Sequence, residues 1–209
     1  MAAEPPTPAT RPRQARAPRA DAQRNRDRLV EVARAAFAAQ DSVTLEGIAR
    51  DAGVGIGTLY RHFPTREDLV EAVYAAELDE VTDAAPDLLR ELAPDEALRA
   101  WLGRYAAFVA TKRGMLDTLR ASWASGRLAI PTTRERITAA VAAILARGAE
   151  TGTLRADVEP EDVVAMLLGI FFTRVAEEPG PDEQAGRDEQ AGQTGRLLDL
   201  VVDAVRPRA

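Results

Sequence analysis

A single histidine and no cysteine in 209 residues leave little room for nucleophilic or metal chemistry. His62 is the only imidazole, so no serine has a histidine base, and a metal site would have to be all carboxylate. The acids show no clustered ligand spacing, and no glycine-rich phosphate loop follows a strand. What the chain concentrates instead is recognition chemistry between residues 44 and 66. Thr44, Thr58, Tyr60, Arg61, His62 and Arg66 supply hydroxyl, phenol, imidazole and guanidinium groups. Gly55, Ile56 and Gly57 lie among them. Hydroxyls and guanidinium groups serve phosphates and base edges, and Ile56, unable to hydrogen-bond, suits a thymine methyl.

The elements that must hold these groups are equally legible. Thr44 is placed to cap a short helix with Leu45, Ile48 and Ala49 on its buried face. Gly53 follows Ala52, where a helix end calls for positive φ, and Val54 plugs the joint. A second short helix opens at Gly55 with Leu59 pointing inward, and Pro64 stops it. Thr65 caps the next helix, with Asp68 completing a short-armed capping box. This is a helix-turn-helix, whose second helix enters the DNA major groove with its first residues, Gly55, Ile56, Gly57 and Thr58. Thr44 and Arg66 stand at helix N-termini, where backbone N–H groups and the dipole favour an anion.

The run T-L-x-x-I-A-x-x-A-G-V-x-x-G-T-L-Y-R-H-F-P-T-R-E-D-L, residues 44–69, resembles the DNA-binding signature of the TetR family of bacterial transcription regulators. With the helix before it the resemblance covers 21 to about 70; beyond that it extends to length, helical character and phrases such as GTLRADVEPED. It implies that Tyr60 and His62 grip phosphates beside the groove; packing of both rings into the motif's small core is the other reading. Arg61 reaches a guanine or a phosphate. Gly55 departs from the pattern, since many relatives carry serine there as cap and phosphate donor.

Net charge is −6, but its distribution matters more than its sum. Seven arginines from Arg11 to Arg28 face only Asp21 and Asp27, a local +5, whereas acid gathers in 77–96 and 157–189. Lys112 is the only lysine, an arginine bias consistent with a GC-rich genome. Residues 1–20, rich in Pro, Ala, Thr and Arg, read as a disordered arm: a solvated tail, an electrostatic aid to binding, or a minor-groove probe, with the aid favoured. No secretory signal is apparent, and the longest apolar run, 163–172, is too short to span a bilayer. The expected location is the cytoplasm; no cofactor or metal is expected.

No segment alternates like a strand, so the fold class is all-α with about nine helices. A three-helix DNA-binding domain spans 21–67, and a helical dimerisation and effector domain spans 68–209. The first helix, about 21–40, presents Leu29, Val32, Ala33, Ala36 and Phe37 on one face. The fourth should end before Pro86, and Pro94 opens the fifth. SGRLAIP reads as a loop before a capping box of Thr132 and Glu135, and Gly152 ends the helix that follows. The duplicated phrase DEQAG, at 182 and 188, reads as a slack loop between 179 and 194.

The segment 160–178 is apolar all round, which makes it either the central core helix or a subunit interface. Family resemblance implies the latter: a homodimer through 160–178 and 195–206, matched to a palindromic double-stranded DNA operator. It also implies an effector pocket among the C-terminal helices, here Trp101, Tyr105, Phe108, Met115, Leu119, Trp123, Met166 and Phe171. Few members of that set ionise, so the effector should be largely apolar. Function is expected to be that of a repressor released by a small molecule. An effector-independent DNA-binding regulator is the alternative.

Overall fold

The computed structural model describes residues 18–39, 43–128, 130–175 and 183–208; at 18–19, 113–114, 130, 172–175 and 183–188 only the backbone is described. Its elements are helical: α1 (Pro18–Ala39), α2 (Leu45–Asp51), α3 (Ile56–His62), α4 (Arg66–Glu91), α5 (Pro94–Thr111), α6 (Leu116–Ala124), α7 (Ile130–Thr151), α8 (Pro160–Val175) and α9 (Glu183–Val205), with a 3₁₀ turn at Lys112–Met115 between α5 and α6.

Local chemistry fixes the first three helices as expected. The Gly47 amide donates to the Thr44 hydroxyl at 3.1 Å, capping α2. At the other end Gly53 adopts φ +67°, its amide donates to Arg50, and the Val54 amide donates to Ala49 at 3.0 Å. These two bonds are the Schellman closure that a glycine in the left-handed region permits. Thr65 and Asp68 exchange both bonds of the capping box at the start of α4. Leu29, Ala33 and Phe37 of α1 are buried against Ile48, Ala49, Leu59 and Phe63 to make the small core.

The fourth helix is the common wall of the molecule. Leu69, Val70 and Val73 close the DNA-binding core, and Leu78, Val81, Ala84, Ala85 and Leu88 continue into the larger core with α5 and α7. That core is completed by Val163, Val164 and Leu167 of α8 and Leu198, Val201, Val202 and Val205 of α9. Pro86 does not end α4, contrary to expectation; the helix runs on to Glu91. An interior proline costs about 3 kcal/mol, which burial of Val81, Ala84, Ala85 and Leu88 on the opposite face offsets. Pro86 itself is exposed, and the Trp101 indole donates to the neighbouring Val81 carbonyl at 2.9 Å.

Three further expectations are corrected. The first helix begins at Pro18 rather than at Asp21, so the last residues of the arm are helical; the arm at 1–17 lies outside the described residues. The seventh begins at Ile130, so Thr132 and Glu135 lie within its first turns and form no N-terminal box. Thr133 instead shares a 3.0 Å hydrogen bond with the Tyr74 hydroxyl. Finally, the duplicated acidic phrase is helical from Glu183 onward. Its Glu, Gln, Ala and Arg are strong helix formers, and one glycine per repeat does not outweigh them. Gly152, as expected, terminates α7 with φ +72°.

Candidate functional site

Three neighbouring features make up the candidate site: the exposed face of α3, the polar ties on α4, and an aromatic cluster behind them.

On α3, Leu59 points into the core while Ile56 and Tyr60 are 39% and 44% exposed. Large apolar groups on a seven-residue helix have no folding reason to face water. At Gly55 and Gly57 an added Cβ would meet nothing within 4 Å, so internal crowding does not require glycine there. Gly55 caps α3 without a side-chain bond, which leaves amides of the first turn available to an anion. Thr58 is half-buried, and Arg61 lies back along its own helix, donating to the Gly57 carbonyl at 3.0 Å and the Thr58 hydroxyl at 3.3 Å. His62 is half-buried with its ring 6.3 Å from that of Phe63, close to the core-packing reading of that residue.

Arg66 turns inward, contrary to a free phosphate-binding role: it donates to the Val43 carbonyl and lies 5.2 Å over the Phe37 ring. Thr44 spends its hydroxyl oxygen on its own helix while remaining exposed. Two residues that sequence reasoning missed also border the motif. Arg26 sits 5.2 Å over Phe63, and the Arg28 guanidinium reaches the turn at Gly53. Their signal was the arginine spacing along α1, not the motif itself.

Polar bonds tie α4 to nearly every neighbour. Arg127 pairs with Asp68 at 2.6 Å and Glu71 at 2.7 Å, and Ser122 donates to Glu71 at 2.7 Å. Hydrogen bonds from Thr65 and then Arg127 hold the Asp68 carboxyl below its ordinary range. Arg34 of α1 bridges Glu80 at 2.6 Å and Glu77 at 3.4 Å. Glu77 is only 3% exposed and accepts from the Thr111 hydroxyl at 2.6 Å. Its other oxygen makes no hydrogen bond. Burial raises its pKa against the pull of Thr111 and Arg34.

Behind α4, seven of the eight pocket candidates belong to the buried core or pack against it. Trp101, Tyr105, Phe108, Met115 and Leu119 are at most 3% exposed; Trp123 and Phe171 flank them, half-buried. Rings of Trp101 and Tyr105 stack at 5.7 Å, and Tyr105 meets Phe108 at 6.0 Å and Phe171 at 5.6 Å. Tyr74, which sequence reasoning did not place here, joins Phe108 at 5.7 Å and Trp123 at 6.2 Å. Burial pushes the Tyr105 phenol up to about 12. Met166 does not join them: it is 38% exposed on the outward side of α8. The Lys112 ammonium enters this cluster, 3.9 Å from the Phe108 ring centre and 5.3 Å from that of Tyr74. Its only sequence signal was its singularity. An open groove of about 540 Å³ lies elsewhere, between α5 and α9, lined by charged residues such as Asp95, Arg99 and Arg206.

Met166 shares its exposure with Leu168 at 44% and, on α9, Leu200 at 62%, so the last two helices present apolar side chains outward. Among the described residues no helix is long and apolar enough to cross a membrane.

Comparison with known proteins agrees with this architecture at both ends. Residues 29–73 match the family described as bacterial regulatory proteins, tetR family. Residues 93–207 match the family described as transcriptional regulator SbtR-like, C-terminal domain. An HTH-type transcriptional regulator of Staphylococcus aureus is 40% identical over 63 residues, which is 29% of this chain and 34% of that protein. Among solved structures, a TetR transcriptional regulator from Streptomyces coelicolor is 43% identical, with a TM-score of 0.73 over 88% of this chain and 99% of that one. A TetR transcription regulatory protein from Mycobacterium vanbaalenii is 32% identical, with a TM-score of 0.67 over 90% of this chain and 99% of its own. Helix-turn-helix, common wall and helical C-terminal domain therefore meet in one assignment: the chain belongs to the TetR family of bacterial transcriptional regulators, a family of DNA-binding proteins rather than enzymes.

Proposed function

We propose that this regulator is a homodimeric repressor that holds a palindromic operator through α3 and releases it when an apolar small molecule enters the aromatic cluster behind α4. The carrying observation is where the large exposed apolar side chains fall: Ile56 and Tyr60 on α3, Met166 and Leu168 on α8 and Leu200 on α9, with Leu92 just after α4 the one such residue outside these two groups among the described residues. The first pair serves the groove, with Ile56 toward a thymine methyl and Tyr60 toward a phosphate. Gly55, Gly57 and Thr58 let the backbone approach. Arg61, His62 and Thr44 flank the groove, Arg26 and Arg28 add positive charge, and Arg66 braces the motif from within. The α8 and α9 residues cover one another across a two-fold axis, which sets the two recognition helices about 34–36 Å apart.

Release needs the effector to favour a form in which that spacing is lost; a coupling of about 1–3 kcal/mol changes operator affinity roughly 5- to 150-fold. A second reading, a DNA-binding regulator independent of any effector, draws on the tight packing of Trp101, Tyr105, Phe108, Met115 and Leu119. Selection of bound sequences from random duplex DNA by the purified protein, with its mass measured by light scattering, tests the DNA half. A palindrome bound by a dimer is expected; a monomer, or no binding to duplex in dilute salt, refutes it. Screening small molecules for loss of binding to the recovered operator then separates the two readings.

A further inference from the structure

We infer that the effector is an apolar monocarboxylic acid whose head group sits between Lys112 and the indole N–H of Trp123. The inference rests on the effector-controlled reading above and adds the chemistry of the molecule.

Lys112 is the only lysine of the chain, and it occupies the 3₁₀ turn that joins α5 to α6. Its ammonium points at the faces of Phe108 and Tyr74 rather than at water. Among the described residues no carboxylate pairs with it within ion-pair distance. The acid whose charge acts on it, Glu77, is already engaged by Thr111 through one oxygen and faces Arg34 through the other. Across the Tyr74 ring, Trp123 stands edge-on with its indole nitrogen buried and lacking an acceptor. The contrast with Trp101 is instructive, because that indole does find an acceptor, the Val81 carbonyl. Among the described residues the cluster thus holds one cation with no carboxylate at ion-pair distance, Glu77 acting on it only from farther off, and one N–H without an acceptor, both bordering the same ring.

Buried donors without partners are costly, and a buried charge more so. A carboxylate answers both, with one oxygen for the ammonium and the other for the indole. A neutral acceptor such as an ester would meet the indole and leave the charge. A phosphate dianion would bring more charge and more acceptor sites than these two donors satisfy. A cationic ligand, which aromatic faces otherwise favour, is excluded because Lys112 already covers those faces. Glu77 does not repel such a head group unopposed, because Arg34 lies 3.4 Å from its carboxylate. The aromatic rings around these two donors, Tyr74, Phe108 and Tyr105, suit an apolar body.

The test uses the intact purified protein and four probes: decanoate, decanol, 3-phenylpropionate and 3-phenylpropanol. Calorimetric titration should show each acid binding roughly 30-fold more tightly than the alcohol of the same skeleton, as a charge-assisted bond requires. Lys112→Met should bring the acid down to the alcohol's affinity and leave the alcohol unchanged, whereas Lys112→Arg keeps the preference. Trp123→Phe should weaken the acid several-fold. Equal affinity for acid and alcohol, an acid preference that survives Lys112→Met, or no binding of any probe at millimolar concentration would each overturn the inference. Acid binding that leaves operator affinity unchanged would confirm the head-group site and refute effector control. Operator release by an uncharged molecule, undiminished in Lys112→Met, would do the reverse.

Discussion

Replacing Lys112 by methionine should make the protein more stable at neutral pH, and the gain should vanish in alkali. Burial holds the ammonium at about 8 against an ordinary 10.5. At about 1.4 kcal/mol per pH unit this amounts to roughly 3 kcal/mol against the charged form. Contact with the Phe108 and Tyr74 faces returns about 0.5–2 kcal/mol of that, so desolvation wins and methionine, of similar length, should gain about 1–3 kcal/mol. In the unfolded chain the lysine titrates near 10.5, so between about pH 8 and 10.5 the unfolded state holds the extra proton. Stability of the native sequence therefore rises with pH across that window, whereas below pH 8 the cost is fully present. Urea denaturation of both proteins from pH 7 to 10.5, at one fixed protein concentration because dimers unfold with mass action, measures the gap directly. Burial also raises the Tyr74 and Tyr105 phenols, but they titrate alike in both proteins and cancel in the difference. A gap that stays constant from pH 7 to 10.5, or a variant less stable at pH 7, would refute the reasoning.

On the DNA side, Tyr60→Phe should weaken binding to all duplexes alike by about 10-fold, the loss of a hydrogen bond to a charged group, while Ile56→Ala should change preference at one base step; fluorescence anisotropy on operator variants tells these apart, and equal effects on every sequence would contradict the division. Leu168→Glu combined with Leu200→Glu should yield a folded monomer by light scattering with little operator affinity, since both side chains are already exposed in the protomer; a persisting dimer would place the interface elsewhere. Gly148→Ala puts a Cβ 2.6 Å from that of Leu154, an overpacking worth about 1–3 kcal/mol that should lower the melting temperature by roughly 2–10 °C; an unchanged melting temperature would mean that the turn after α7 yields freely.

How much of this was legible in the sequence depended on how local its cause was. Thr44, Gly53, Thr65 and Asp68 act within four residues of themselves, so the helix-turn-helix could be read with its caps and its closing turn. Pro86 could not be read, because what carries α4 through it is burial against distant helices. The duplicated acidic phrase reads as a loop on its glycine content, although the residues between favour a helix. Exposure on α3 follows from Leu59 being the inward residue, which the sequence shows. The inward turn of Arg66 depends on Val43 and Phe37, and the outward turn of Met166 on how α8 is rotated against the core. Neither rotation is written in spacing alone. Lys112 stood out only as a lone lysine; its burial emerges from three elements that meet in space.

The costly features of the protein are not scattered. The unpartnered Trp123 indole, the Glu77 oxygen without a hydrogen bond and the Lys112 ammonium all lie where α1, α4, α5 and α6 converge. A fold selected for stability alone would fill that junction with apolar groups, since buried ions are rarely net stabilising. The same junction holds the bonds by which α6 could act on the recognition helix. Ser122, next to Trp123 in sequence, donates to Glu71; Arg127 grips Glu71 and Asp68; and Asp68 closes the cap of α4 only a few residues after α3 ends. The head-group site proposed above would thus stand one residue from a chain of polar bonds that reaches the start of α4. Costs of a few kcal/mol at this junction are of the same size as the coupling a ligand-released repressor needs, and this ties the stability prediction for Lys112 to the proposed regulation.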